Sequence, residues 1–380
     1  MNFDFTPEQD AFRDVVRSFA HSEIAPHVAD WDRQAAFPTR VVEQMGALGL
    51  FGLLVPEPLG GSGADFTTFC IAVEELAAVD SSIAITLSAG VGLGIGPILS
   101  FGSDEQRRRW LPDLAAGRAL AAFGLTEPGC GSDAAALRTT ATRDGDEWIL
   151  DGSKEFITNA GTPLTSVVTV AARTDAGISA FLVPAGTPGF VVGPSYRKMG
   201  WRASDTHPLA FDGCRIPIDN LLGEPGRGFQ QFLTILDGGR VTIAAIALGL
   251  ARACLDACVA YANERTAFGG PISRFQGIGF PIADIAVGIE SARLLTYHAA
   301  WLKDQGRPFS HEAAIAKLQA TEAAVNAGRT ATQVFGGSGF MEESDVNRYY
   351  RDSKILELGE GTSEIQRLVI ARGLGLVTGT

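Results

Sequence analysis

Cysteine is sparse and scattered in this 380-residue chain: Cys70, Cys130, Cys214, Cys254 and Cys258 make an odd count. Only the last two stand close, at i and i+4, and no histidine completes a ligand spacing with them. Neither a disulfide framework nor a metal site is expected. Reduced core thiols of this kind suit a cytoplasmic protein. Histidine is equally thin. His21, His27, His207, His298 and His311 fall in no triad spacing, and no G-x-S-x-G occurs, so serine-hydrolase chemistry has no support. A basic excess is missing too. The net charge is -12, which argues against nucleic acid as the main partner. An anionic ligand needs only a local Arg cluster and stays open. The opening Met1-Asn2-Phe3-Asp4-Phe5 lacks the basic start and apolar run of a signal peptide. One uncharged run, 81–103, contains Gly90, Gly92, Gly94, Gly96, Pro97 and Gly102. That is poor material for a membrane span, and a buried helix followed by a glycine-rich turn is expected.

What is present divides into three zones. With 46% hydrophobic and 19% charged residues, the chain can bury large cores in roughly two to three domains. Residues 1–120 read as helical. Thr6-Pro7-Glu8-Gln9 offers an N-cap, a Pro at the first helical position and a capping Gln. Phe12, Val15, Val16 and Phe19 then recur at helical spacing. Further helices are expected over 39–48, 65–79 and 104–116, with Asp65 and Asp104 as caps. Residues 121–225 change to strands. The stretch 147–157 predicts a hairpin about Asp151-Gly152; 166–172 and 178–183 flank a turn at 174–177; 190–192 and 209–211 continue the pattern. Residues 226–380 return to helix, with one very long helix over 228–264, then 281–305, 310–335, 345–358 and a run after Ser363. The long helix is apolar on nearly every face at its centre and should be buried. The expected fold class is therefore multidomain α and β: an N-terminal α-helical domain, a middle β-barrel or sandwich domain, and a C-terminal four-helix bundle.

One stretch organises the rest, Leu358-Gly359-Glu360-Gly361-Thr362-Ser363-Glu364-Ile365-Gln366-Arg367. A lone carboxylate stands between two glycines, directly before a helix start where Ser363 and Gln366 have capping-box spacing. Glycine removes side-chain bulk, and free N–H groups at a helix start attract an anion or oxygen. A plain capped helix would look the same in isolation. The stretch from Phe123 to Asp133 runs a strand into a glycine-rich loop with hydroxyls. Gly129, Gly131 and Ala134 match G-x-G-x-x-A, yet a polar strand-like stretch follows in place of a crossover helix, so the dinucleotide fingerprint fails in context. The loop presents N–H groups and hydroxyls to a flat polar ring, or is a Pro-Gly turn. Phe156-Ile157-Thr158-Asn159-Ala160 ends a strand and reads as core. Arg265 lies at a helix end, where it either complements the dipole or clamps a pyrophosphate, with Gln276 within reach. Gln333 to Phe340 reads as a Schellman-type stop or as a close approach to a cofactor. Asp237-Gly238-Gly239-Arg240 places two glycines inside the long helix, at about 1 kcal/mol each relative to Ala, so something packs on that face.

Taken in order, LTEPGCGSD, FITNA, KMGWRASDT, ERTAFGGPI, QVFGGSGF and EGTSEIQR resemble the acyl-CoA dehydrogenases, flavoenzymes that oxidise fatty acyl thioesters. The resemblance covers nearly the whole chain. It implies FAD between the middle domain and the bundle, a homotetramer, and electron-transferring flavoprotein as acceptor. It places Phe123, Leu125, Thr126, Gly131 and Ser132 along the flavin, with Phe156 and Thr158 packed on it. It places Arg265, Phe268, Gln276, Gln333, Val334, Gly336 and Gly337 against the FAD of a neighbouring subunit. Thr362 and Glu364 also match FAD contacts. Asp237, Arg240, Ser132 and Gly361 match positions that touch acyl-CoA. Glu360 would take the pro-R α-proton while the β-hydride goes to flavin N5, giving the trans-2-enoyl-CoA. Its N–H and a ribityl hydroxyl would form the oxyanion hole. Short- and medium-chain members carry the base where Glu360 stands; isovaleryl and long-chain members carry it at the match of Gly239. Two positions depart from the common pattern, Gly359 for Tyr and Phe156 for Trp. An oxidase of the same superfamily is the alternative, and a cofactor-free helical scaffold a third.

Overall fold

The computed structural model describes residues 4–376, so Met1, Asn2 and Phe3 of the leader reading and the last four residues of the expected bundle lie outside the described residues. Thr6 caps α1 (Pro7–Phe19) with a complete capping box to Gln9. α2 (Val28–Gln34), α3 (Thr39–Ala47) and α4 (Phe66–Ala77) follow, the last capped by the Asp65 side chain. α5 (Ser81–Ser88) does not end in the expected glycine turn. It runs through a π-helical segment, Ala89–Ile95, into α6 (Gly96–Phe101). The glycines serve close approach here: a Cβ on Gly94 would lie 2.6 Å from the Ala121 carbonyl oxygen. α7 (Asp104–Ala115) is capped by Ser103, one residue before the expected Asp104, because Ser103 and Gln106 form a reciprocal box.

β1 (Leu120–Gly124), β2 (Thr140–Asp144), β3 (Glu147–Thr158), β4 (Thr165–Thr174), β5 (Gly177–Pro184), β6 (Phe190–Val192), β7 (Thr206–Pro217) and β8 (Leu221–Leu222) form one sheet. Its order is β6-β7-β3-β2-β4-β5-β8, with β1 parallel to β4. β2 and β4 meet only at Thr140 and Arg173, and the two halves of the sheet share one core that includes Leu150, Val170, Phe181, Leu209 and Ile216. The hairpin expected at Asp151-Gly152 is instead a bulge within β3, where Gly152 adopts φ +145. A Cβ there would lie 2.5 Å from Thr139 Oγ1. The turn lies instead at Gly145-Asp146, between β2 and β3, where Asp144 and Glu147 close the ladder.

α8 (Gly228–Glu264) has the expected span and is about 55 Å long. β9 (Thr266–Ala267) and β10 (Gly270–Pro271) make a small hairpin beyond it. α9 (Gln276–Asp304) starts five residues before Pro281, which sits inside the helix rather than at its start. α10 (Ser310–Phe335), α11 (Asp345–Leu356) and α12 (Ser363–Gly373) complete the bundle. Ala313, Ala316, Ala320, Ala324 and Ala327 of α10 share a core with the Ala-rich centre of α8, and small residues on both helices allow close packing. The 81–101 run and α8 are each long and apolar enough to cross a membrane, and both are mostly buried inside this protein.

One carboxyl joins all three zones. Asp352 on α11 accepts Ser81 Oγ–H at 2.8 Å and the Trp201 N–H at 2.7 Å. Burial and the neighbouring Asp80 push its pKa up to about 6. A Cβ on Gly200 would lie 2.6 Å from the Arg351 carbonyl, so that contact needs glycine.

Candidate active site

Glu360 occupies the turn between α11 and α12 and adopts φ +52. A non-glycine residue in that region carries strain of order 1 kcal/mol and is held by its surroundings. Gly361 follows at φ +94. The helix cap is Thr362, not Ser363 as the spacing suggested; Thr362 Oγ1 accepts the Ile365 N–H at 3.3 Å. Gln366 is not part of a capping box. It is wholly buried, and its Nε2 donates to the Gly361 carbonyl at 2.8 Å.

Both carboxyl oxygens of Glu360 are buried without a hydrogen-bond partner. An unpartnered buried carboxyl is costly, so the protein maintains this one against its own stability. Oε2 rests against α8 at Gly239, where a Cβ would lie only 1.8 Å from it, beside Leu93 of the π segment. This is the packing that the paired glycines of α8 called for. Desolvation pushes the Glu360 pKa up to about 7, with Lys317 and Arg240 pulling the other way. A carboxylate poised near neutrality in a dry site is what a general base needs.

Asp237 and Arg240 flank the site as an ion pair at 2.5 Å, and Ser310 Oγ–H donates to the same Asp237 oxygen at 2.9 Å. Lys317 of α10 is fully buried, and its Nζ donates to the Gly361 carbonyl at 2.7 Å. Neither Lys317 nor Gln366 stood out in the sequence as a site residue. The available signal for Lys317 was a lone cation on the alanine face that includes Ala313, Ala320 and Ala324.

The β-strand residues belong to the middle sheet and the loop that follows β1. Phe123 at the end of β1 packs on Phe232 of α8 with ring centroids 4.3 Å apart. Leu125 is buried, and the Thr126 carbonyl accepts the Glu155 N–H at 2.9 Å, tying the loop to β3. Beneath the loop, buried Lys154 pairs with Glu127 at 2.7 Å, and Glu127 accepts the N–H groups of Arg138 and Thr139. Gly131 and Ser132 stay exposed on this anchored base, and nothing lies within 4 Å of a Cβ at Gly131. Phe156 is a correction to the core reading: it is 66% exposed at φ +60, while Ile157 fills the buried slot. The ring of Tyr196 lies 5.3 Å from the Phe156 ring, and Thr158 is half-buried beyond it. Thr362 is half-buried and Glu364 exposed at the start of α12.

A third group sits elsewhere. Arg265, Phe268, Gln276, Gln333, Gly336 and Gly337 are exposed around the far ends of α8 and α10; Val334 is buried and backs that surface. The stacked rings of Tyr261 and Phe335, 4.0 Å apart, hold the two helix ends together. Gly336 has φ +60 and ψ -135, so the stop is not the left-handed Schellman form. From Gly239 to Arg265 is about 40 Å along α8. The structure therefore seats Glu360 beside Gly239 and places the Arg265 group far from it along α8. Among the described residues no cluster of His, Cys, Asp and Glu could hold a metal ion.

Helices, then a folded sheet, then a bundle with a desolvated glutamate seated on its long helix define an acyl-CoA dehydrogenase, and the chain belongs to that oxidoreductase family. The N-terminal, middle and C-terminal domain models of acyl-CoA dehydrogenase match residues 6–118, 122–214 and 226–375. Particular relatives sharpen this. The probable acyl-CoA dehydrogenase YngJ of Bacillus subtilis is 50% identical over 98% of this chain and 100% of its own length. The short-chain specific mitochondrial acyl-CoA dehydrogenase of Mus musculus is 49% identical over 94% of this chain and 88% of its own. The structure of butyryl-CoA dehydrogenase from Megasphaera elsdenii matches with a TM-score of 0.96 at 42% identity, covering 98% of this chain and 100% of that one.

Proposed function

We propose that this protein desaturates a short acyl-CoA between its α and β carbons, with Glu360 as the base and FAD as cofactor. The observation that carries the reading is the Glu360 carboxyl itself, buried, unpartnered and seated on a glycine. FAD, when bound, supplies the acceptor for the β-hydride. The side chains that would hold it are Phe123, Leu125, Thr126, Ser132, Phe156 and Thr158, with Gly131 leaving room and Thr362 and Glu364 at the start of α12. The exposed aromatic ring and the open loop suit a flat polar ring system. Glu360 takes the α-proton as its carboxyl becomes neutral. Its own N–H donates to the thioester oxygen on which charge develops.

The substrate tail is apolar in this reading. The π segment beside Glu360, Ala89–Ile95, carries no charged residue. The cations nearby are engaged, Arg240 by Asp237, Lys317 by the Gly361 carbonyl and Lys303 by the face of the Phe66 ring. A dicarboxylic acyl group would find no free cation among them. Asp237, Arg240, Ser132 and Gly361 line the approach of the thioester. The residues around Arg265 and Phe268, too far from Glu360 to serve the same cofactor, support a homotetramer in which they grip the FAD of a neighbour. An apolar groove between α8 and α9, lined by Leu255, Val259, Ile282 and Ala286, supplies surface for such assembly. Electron-transferring flavoprotein is the proposed acceptor, and five buried free thiols suit a reducing cytoplasm.

The test is anaerobic mixing of the purified yellow protein with butyryl-CoA, longer, branched and dicarboxylic acyl-CoAs. Butyryl-CoA should bleach the flavin band and dicarboxylic acyl-CoAs should not. No bleaching by any acyl-CoA would overturn the reading. Peroxide release in air would mark an oxidase instead.

A further inference from the structure

We propose that Lys317 is a positioning residue for the base: it pins the Gly361 carbonyl and supplies, from inside the bundle, a positive charge to the unpartnered Glu360 carboxylate. The inference rests on the reading of Glu360 as the base. Its warrant is geometric. Lys317 lies on the inner face of α10 with zero exposure, and its Nζ reaches across to the backbone of the catalytic turn at 2.7 Å. A lysine kept only to fill that volume would be better replaced by an apolar residue, since burying an ammonium is expensive.

The Gly361 carbonyl accepts from two buried side chains, Lys317 Nζ at 2.7 Å and Gln366 Nε2 at 2.8 Å. That double grip fixes the Gly361–Thr362 peptide and so holds the left-handed turn from which the Glu360 side chain reaches Gly239. The charge matters separately. The groups that face this pair are Arg240 from α8, Glu357 from the end of α11 and Glu364 from α12. Arg240 shares its charge with Asp237, which in turn also feels Lys303 of α9. Lys317 touches no carboxylate and so offers its charge to Glu360 across the pocket. Burial lowers the Lys317 pKa to about 8, so the ammonium persists over the range in which Glu360 ionises. Removing it moves the Glu360 titration upward, because an opposite charge favours the carboxylate.

Three variants isolate the charge. K317R keeps charge and donor, K317Q keeps a donor alone, and K317M keeps neither. The measurements are the acid limb of kcat/KM and an infrared titration of the Glu360 carboxyl in the holoenzyme, identified by its loss in E360Q. In K317Q and K317M both titrations should move about one pH unit alkaline, which is about a tenfold loss of kcat/KM at pH 6. K317R should hold the wild-type midpoint. Midpoints in K317Q and K317M that coincide with wild type would overturn the proposal, whatever happens to thermal stability. If the wild-type protein turns over no acyl-CoA, the functional reading fails. The infrared titration still decides whether Lys317 tunes Glu360.

Discussion

Two regions about 40 Å apart along α8 are built to opposite rules. Around Gly239 everything is dry: a carboxyl without partners, a buried lysine, a glycine that leaves room for an oxygen. Around Arg265 everything faces outward, with Phe268 91% exposed and Gly336 and Gly337 leaving the backbone open. The dry region has what proton abstraction requires within one chain. The wet region resembles half of a binding surface. In the proposed function, then, acid–base chemistry is private to each subunit, while the hold on the cofactor is shared.

The sharpest way to break this contrast is E360Q. Turnover should fall by about a thousandfold or more while the yellow colour remains, since the cofactor walls are untouched. Near-normal turnover would place the base elsewhere. G239A is expected to cost less, about a hundredfold in kcat/KM, because the added methyl displaces the end of a flexible side chain rather than backbone. Bleaching rates under anaerobic conditions measure both.

Stability offers a third probe of the dry region. The Glu360 pKa is raised from 4.5 to about 7 in the fold, so its contribution is fully present below pH 4.5 and is lost as pH rises through 7. E360Q escapes that loss. It should match wild type near pH 4 and exceed it by up to about 3 kcal/mol at pH 8 in denaturant titrations. An equal gap at both pH values would mean that the carboxyl is solvated. In the wet region the effects are smaller. R265A should weaken FAD retention about tenfold, about 1.4 kcal/mol, and loosen the assembly on a sizing column. It should leave the acid limb of kcat/KM where wild type has it. A shift in that limb would show that the two regions are coupled.

Much of this architecture can be read without coordinates. The spans of α8 and α10 follow from their apolar patterns and flanking glycines, and the α1 box follows from four residues. Local signals mislead where they meet a distant partner. The glycines of the 89–95 segment suggest a turn, yet Gly94 answers to Ala121 of β1 and Gly90 to the Phe51 ring. Asp151-Gly152 has the chemistry of a hairpin, but pairing with β7 carries the strand through it as a bulge. Within the site, Glu360 and the glycines of α8 stand out because their cost needs an explanation. Lys317 and Gln366 do not, since their meaning depends on a carbonyl 44 and 5 residues away. Phe156 reads as core from its neighbours, and only the left-handed backbone turns it outward.

The carboxyl of Asp352 limits how freely the parts of this chain can be exchanged. A hybrid enzyme that takes its middle segment from a relative must bring along a glycine at 200 and a free amide at 201, or the graft will lose its seat on α11. Because α11 ends four residues before Glu360, a badly seated graft would betray itself first in the Glu360 turn, before the hybrid lost its overall shape.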